Sequence, residues 1–369
     1  MSTRFFPELG FYTLPGHVFD PRPALREIDD ADRLGLGSVW ISERLNTKDI
    51  GVLTGAAIVR SERIGVASGL MNNLPLRNAM VVASYAATSM MLSNNRFTLG
   101  IGRGTDSLED RLGIPHASDQ LVEDYVDILR RLWRGEVVTY DGPAGRFNGA
   151  TLGLKLGVPP PVVLGAVGFK NCEWAGRFCD GVLFNTFWTA EATAEGVRRV
   201  RASAEAAGRD PAKIKIWAIL AAACEVSEEI ELTTIVRRLN TYLFFPRQWN
   251  ATLRVNRWDP AVAERLRAAL KEIDRGRSSA GTIGDESTSR DLEDIRRMRE
   301  LWPREWIDTS TATGSAAHCV KCVRDRFDAG VDGVAFHAST PANLSSLLAA
   351  WDKVRPSDAF AGRVANPGL

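Results

Sequence analysis

The chain has 369 residues and carries 46 Lys and Arg against 45 Asp and Glu, a formal charge of +1 with histidine neutral. That balance gives no polycationic surface for nucleic acid or anionic lipid, and 45% hydrophobic with 25% charged residues is ordinary for a globular protein of enzyme size. Five cysteines, an odd number, make no disulfide framework; with no apolar leader and no apolar run near the roughly 18 residues of a membrane span, a cytoplasmic protein is expected.

Short apolar runs at 9–13, 38–42, 63–70, 96–102, 161–166, 181–184, 213–219 and 331–337 read as strands. Their apolar residues are mostly continuous rather than alternating, which means burial on both faces, as in a parallel sheet. Amphipathic helices fall between them. Pro23 stands at a first helical position before Leu25, Ile28, Ala31 and Leu34, and Gly35 and Gly37 end that helix. Ala79, Val82, Ala83, Ala86 and Met90 repeat at helical spacing. Ser118 caps a helix carrying Val122, Val126, Leu129 and Trp133, and Ser315 caps one carrying Val320, Val323 and Phe327. Eight β–α units in succession predict a (β/α)8 TIM barrel, an α/β fold, as a single domain over 1–369.

Two stretches interrupt the repeat. Residues 135–159 hold turn chemistry at Tyr140-Asp141-Gly142-Pro143 and Phe147-Asn148-Gly149, and read as a small hairpin insertion. Residues 240–313 mix charged helices with Trp249, Trp258, Trp302 and Trp306 and read as a helical insertion, a lid or an oligomer contact; 278–289 within it are polar. A closed barrel has no sheet edge, so any dimer would use helices and loops, and a homodimer is admitted.

Catalytic residues of barrels stand at the C-terminal ends of strands. Glu43-Arg44 ends the second strand, where a solvated ion pair is the plainer alternative. Ser68-Gly69-Leu70-Met71-Asn72-Asn73 ends the third, with a glycine inside an apolar run. Gly100-Ile101-Gly102-Arg103-Gly104 follows the fourth; its glycines suit either close approach of a ligand or a tight turn. Gly165-Ala166-Val167-Gly168-Phe169-Lys170-Asn171 follows the fifth and opens a helix, an anion site to which Lys170 adds charge.

His17 and His337 fall just past strand ends. No two of the four histidines make an i,i+4 pair, so no metal site is expected. His318-Cys319 with Cys322 has the look of a metal or redox motif but lies in an amphipathic helix, where core packing is the expected role. Asp180-Gly181 and Asp332-Gly333 start strands and read as structural.

Taken in order, 31–43 (ADRLGLGSVWISE), 64–78 (IGVASGLMNNLPLRN), 83–104 (ASYAATSMMLSNNRFTLGIGRG), 159–181 (PPPVVLGAVGFKNCEWAGRFCDG) and 313–335 resemble the luciferase-like monooxygenase superfamily, within it the branch that uses the deazaflavin coenzyme F420. The resemblance implies the same barrel, with the cofactor at the C-terminal strand ends. It assigns Gly69 and Leu70 to a non-prolyl cis peptide behind the deazaflavin ring, and Gly102 and Gly104 to the loop beside it. Ala166, Val167 and Gly168, helped by Lys170, would meet the phosphate and tail. Family members often carry Glu/Asp-His after the second strand; here the pair is Glu43-Arg44, and arginine does not shuttle a proton. Acid–base work would then fall to Glu43 or His17, and Arg44 would hold an anionic substrate. The implied activity is hydride transfer between reduced coenzyme F420 and a small carbonyl compound or activated alkene. The rival readings are an FMN-dependent monooxygenase of the same fold and a cofactor-binding barrel without catalysis.

Overall fold

In a computed structural model of the chain, residues 4–15, 20–45, 48–104, 106–273 and 291–369 are described. Eleven strands occur among them: β1 Phe6–Tyr12, β2 Leu36–Ile41, β3 Gly65–Ser68, β4 Phe97–Ile101, β5 Val138–Gly142, β6 Gly145–Ala150, β7 Val162–Ala166, β8 Gly181–Phe184, β9 Lys215–Cys224, β10 Thr311–Gly314 and β11 Gly333–His337. Eight of them, β1 to β4, β7 to β9 and β11, pair in parallel and close on themselves through β11–β1 and β8–β9. The fold is therefore the predicted (β/α)8 barrel, with each predicted strand present. Continuous apolar sequence produced it as argued: β2, β3, β4, β8 and β11 are buried at every residue.

Helices alternate with the strands, and several start at side-chain caps. Ser118 accepts from the Leu121 N–H and Ser315 from the His318 N–H, as expected, and Asp49 and Asn78 do the same for Ile50–Arg60 and Ala79–Leu92. β5 and β6 form an antiparallel hairpin within 135–159. The run between β9 and β10 is helical from Glu228 to Ile273 and from Leu292 to Ser310; residues 278–289 lie outside the described part. β10 itself, a ninth parallel strand beside β9, has no counterpart in the sequence reading, because the four residues TATG carry little apolar signal.

Inside the barrel, Tyr12, Trp40, Ala67, Val163, Leu183, Trp217 and Ala335 pack together as a plug, with the Trp40 and Trp217 rings 5.3 Å apart. The floor is tied from below. Asp180 Oδ2 accepts from the Val162 N–H at 2.9 Å and Asp332 Oδ2 from the Ile216 N–H at 2.8 Å, the structural roles expected of them. Residues 366–368 run beneath it: Asn366 Nδ2 donates to the Phe97 carbonyl at 2.9 Å and Trp217 Nε1 to the Pro367 carbonyl at 2.8 Å. With its floor sealed, the barrel is open to chemistry at the C-terminal ends of its strands.

Candidate active site

At the end of β3 the Gly69–Leu70 peptide is cis. Gly69 is tightly enclosed: a Cβ would fall 3.1 Å from Tyr12 Oη and 3.1 Å from Trp40 Cβ. Leu70 turns inward over the plug, occupying the space that Gly165 vacates, where a Cβ would lie 2.1 Å from Leu70 Cδ1. Gly102 makes room in the same way for Asn72, whose Oδ1 would be 2.0 Å from a Cβ there. Gly104 has φ +97°, a left-handed conformation suited to glycine, beside Asn73 and Glu109. Three expected cofactor positions, Gly69, Leu70 and Gly102, thus form one shelf across β3 and β4.

The second cluster lies on β7 and β8. Ala166 ends β7, Val167 and Gly168 follow, and the helix Phe169–Phe178 starts at Gly168. Gly168 is extended, with φ −163°, and a Cβ there would meet only Ala251 at 3.7 Å. Neither dihedral nor crowding demands glycine, so its absent side chain leaves space at a helix N-terminus, where unpaired N–H groups favour an anion. Lys170 is exposed in the first turn. Asn185 and Thr186 follow β8, and the Asn185 N–H donates to the Ala166 carbonyl at 3.0 Å. Asn185 Nδ2 and Thr186 Oγ1 are buried and have no partner among the described residues. An open cradle and two unpaired polar groups beside it fit a phosphate-bearing tail, and an inward shelf at a cis peptide fits the flat ring of a deazaflavin or flavin.

The residues after β2 divide between two environments. Glu43 points toward β3: Oε1 accepts from Arg77 Nη2 at 2.5 Å and Oε2 from the Asn72 N–H at 3.0 Å. Burial pushes its proton affinity up, and Arg77 opposes that. Arg44 lies on the other side. Its backbone pairs with Lys48, and its charge lowers the proton affinity of both Lys48 and His337. His17 lies outside the described residues. His337, the last residue of β11, is 6% exposed, its ring edge-on to Tyr12 at 5.2 Å, and it accepts from Arg238 Nη2 at 3.3 Å through Nε2. Because a guanidinium only donates, the imidazole proton sits on Nδ1, which has no partner among the described residues.

Lys48, Arg238, Asn185 and Thr186 are absent from the sequence reading. Arg238 sits 99 residues from His337, so spacing gives no signal; a π-helical turn, Leu232–Val236, directly precedes its helix. Asn185 had a readable cue, a polar residue immediately after an apolar strand. Cys319 and Cys322 are buried in the helix Ala316–Asp328, in agreement with core packing. No three His, Cys, Asp or Glu side chains among the described residues form a metal-holding group.

The fold is a (β/α)8 barrel with its candidate site at the C-terminal ends of the strands. A family model for luciferase-like monooxygenases matches residues 3–333, and the chain belongs to that family. A 5,10-methylenetetrahydromethanopterin reductase from Methanolobus tindarius is 27% identical over 256 residues, 69% of this chain and 77% of that one. A reductase of the same name from Archaeoglobus fulgidus is 30% identical over 182 residues, about half of either chain (49% and 51%). Among solved structures, the coenzyme F420-dependent tetrahydromethanopterin reductase of Methanopyrus kandleri superposes with a TM-score of 0.73 at 19% identity, covering 93% of this chain and 97% of that one. An F420-dependent secondary alcohol dehydrogenase holding an F420–acetone adduct gives 0.70 at 16% identity, covering 97% and 99%. These two superpositions bear on the fold.

Proposed function

We propose that the chain is a coenzyme F420-dependent oxidoreductase that moves a hydride between the reduced deazaflavin and a small carbonyl compound or activated alkene. The observation that carries this reading is the inward shelf that Leu70 and Asn72 form in the space left by Gly165 and Gly102, together with the open Gly168 cradle at a helix N-terminus. The F420-dependent glucose-6-phosphate dehydrogenase of Beutenbergia cavernae, 29% identical over 184 residues (47% of this chain and 55% of that one), supports the choice of cofactor. The coenzyme supplies the hydride chemistry when bound. The protein's part is to seat and orient it and to exclude water. Gly69 and Leu70 would back the ring, Gly102 and Gly104 would flank it, and Ala166, Val167 and Gly168 with Lys170, Asn185 and Thr186 would take the phosphate and tail. Arg44 and Arg238 give the substrate side a cationic character suited to orienting an oxygen that gains negative charge.

The test is a titration of the purified protein with coenzyme F420 and, separately, with FMN, followed by fluorescence. Micromolar F420 binding with much weaker FMN binding is expected. Preference for FMN would move the reading to a monooxygenase, and binding of neither to a barrel without this catalysis.

We also infer a homodimer. The helix Ile50–Arg60 has one charged residue, at its end, and Ala79–Leu92 has none, yet Val52, Val59, Val81, Met91 and Leu92 are exposed on them. Apolar character all round a helix suits burial against a partner. No helix among the described residues is long and apolar enough to cross a membrane.

A further inference from the structure

Lys48 is a buried lysine at the C-terminal mouth of the barrel, its Nζ lying between Leu14, which follows β1, and Ser42, which follows β2, and neither the glycine cradle nor the plug uses it. It is 3% exposed and closes the loop after β2, where its N–H donates to the Arg44 carbonyl at 2.7 Å. Nζ donates to the Leu14 carbonyl at 2.7 Å and lies 3.4 Å from Ser42 Oγ. The other side of Leu14 is held by a carboxylate, since its N–H donates to Glu27 Oε2 at 2.7 Å, as does Thr13 Oγ1 at 2.6 Å.

The charged groups acting on Lys48 come from three places: Arg44 on its own loop, Arg238 from the helix Arg237–Leu243, and Glu27 from the helix Pro23–Leu34. His337 at the end of β11 feels the lysine's charge in turn. Burial, then Arg44 and Arg238, bring the lysine down to about 7, and Glu27 opposes them. Its neighbours are poorly placed to exchange a proton near neutrality. Burial and three cations keep His337 neutral, and burial holds the Tyr12 phenol protonated. Glu43 is occupied by Asn72 and Arg77.

We propose that Lys48 is the proton carrier of the active site. The assignment rests on reading the chain as an F420-dependent oxidoreductase. In the reducing direction a hydride from a C–H bond of the reduced coenzyme, which would thereby be oxidised, forms a new C–H bond at the carbonyl carbon, and the C=O π pair moves to oxygen. Nζ–H breaks, an O–H bond forms on that oxygen, and the neutral amine regains its proton from water. In the oxidising direction the amine removes the hydroxyl proton, the O–H pair forms the C=O π bond, and hydride leaves the carbon for the oxidised coenzyme.

The test uses wild type, Lys48→Arg and Lys48→Met, with reduced coenzyme F420 and 2-cyclohexen-1-one, a probe carrying both a carbonyl and an activated alkene. Reduction by wild type should hold below pH about 7 and fall about tenfold per pH unit above it. Lys48→Arg, which donates hydrogen bonds but does not lose its proton, should lower kcat by about 10² to 10⁴ and abolish the break. Coenzyme affinity, read by fluorescence, should stay within about threefold on the scale of a lost peripheral contact.

A readout independent of turnover is thermal unfolding of Lys48→Met against wild type from pH 5 to 10. A lysine whose folded affinity is lowered destabilises fully below about 7, and the effect vanishes toward the unfolded value of about 10.4. The advantage of the methionine variant should therefore be greatest below 7 and shrink as pH rises. A pH-independent difference, or an unchanged break in Lys48→Arg, overturns the assignment while leaving the coenzyme reading intact. Failure of wild type to bind reduced F420 overturns that reading and the assignment with it.

Discussion

Two glycines at the mouth of this barrel are constrained for opposite reasons, and substitution separates them. Gly100 faces backbone: a Cβ would lie 2.0 Å from the Ser68 carbonyl oxygen, next to the two hydrogen bonds that join Ser68 Oγ to Gly100. Gly100→Ala should cost about 2 to 3 kcal/mol, because a carbonyl in a closed sheet yields little; urea denaturation measures it, and a loss below about 0.5 kcal/mol would place the strands further apart than described. Gly168 faces open space, with its nearest neighbour at 3.7 Å. Gly168→Glu should leave unfolding nearly unchanged and weaken F420 binding at least tenfold, since it sets a negative side chain where an anion is expected. Unchanged affinity would remove this loop from the cofactor site. The same contrast explains what sequence could reveal at this scale: a glycine motif is legible, but which neighbour it serves is not.

Among the elements, the barrel strands were the most legible and the helical run after β9 the least. Burial on both faces wrote the eight barrel strands in apolar residues, and Ser118 and Ser315 announced their helices. The π-helical turn at Leu232–Val236 and the four-residue β10 have no comparable pattern, so the placement of Arg238 beside His337 could not be read. The same run has a core of its own. Trp258 and Trp306 stack at 4.5 Å, and Trp249 and Trp302 meet nearly perpendicular at 5.5 Å. Trp306→Ala should cost about 3 to 5 kcal/mol of local stability. Hydrogen exchange should show the loss concentrated in Pro246–Asn256 and Leu292–Leu301, with the amides of β1 to β4 protected as before. Uniform deprotection would mean that this core and the barrel unfold as one unit.

For the molecule as a whole, the exposed apolar residues of Ile50–Arg60 and Ala79–Leu92, which carry a single charge between them at Arg60, are the decisive feature. Val52 and Val59 are 71% and 77% exposed in the single chain. A charge introduced there, as in Val59→Glu, costs a monomer little but is severe inside an apolar interface. Sedimentation velocity should find two chains for wild type and one for the variant, with F420 affinity retained. A monomeric wild type would reject the dimer. Helical spacing was legible at 79–90, no helix was read over 50–60, and which of their faces the barrel covers required the fold.

The packed indoles of the helical run carry a consequence for observation. Rings held at 4.5 to 6.4 Å in fixed mutual tilts couple their electronic transitions, which gives rise to circular dichroism in the ultraviolet. Trp249 belongs to the helix Pro246–Asn256, whose Ala251 is the neighbour of Gly168. The molecule thus contains an optical gauge beside its candidate phosphate cradle. A ligand that shifts that helix would register as a change in indole coupling, without any label attached.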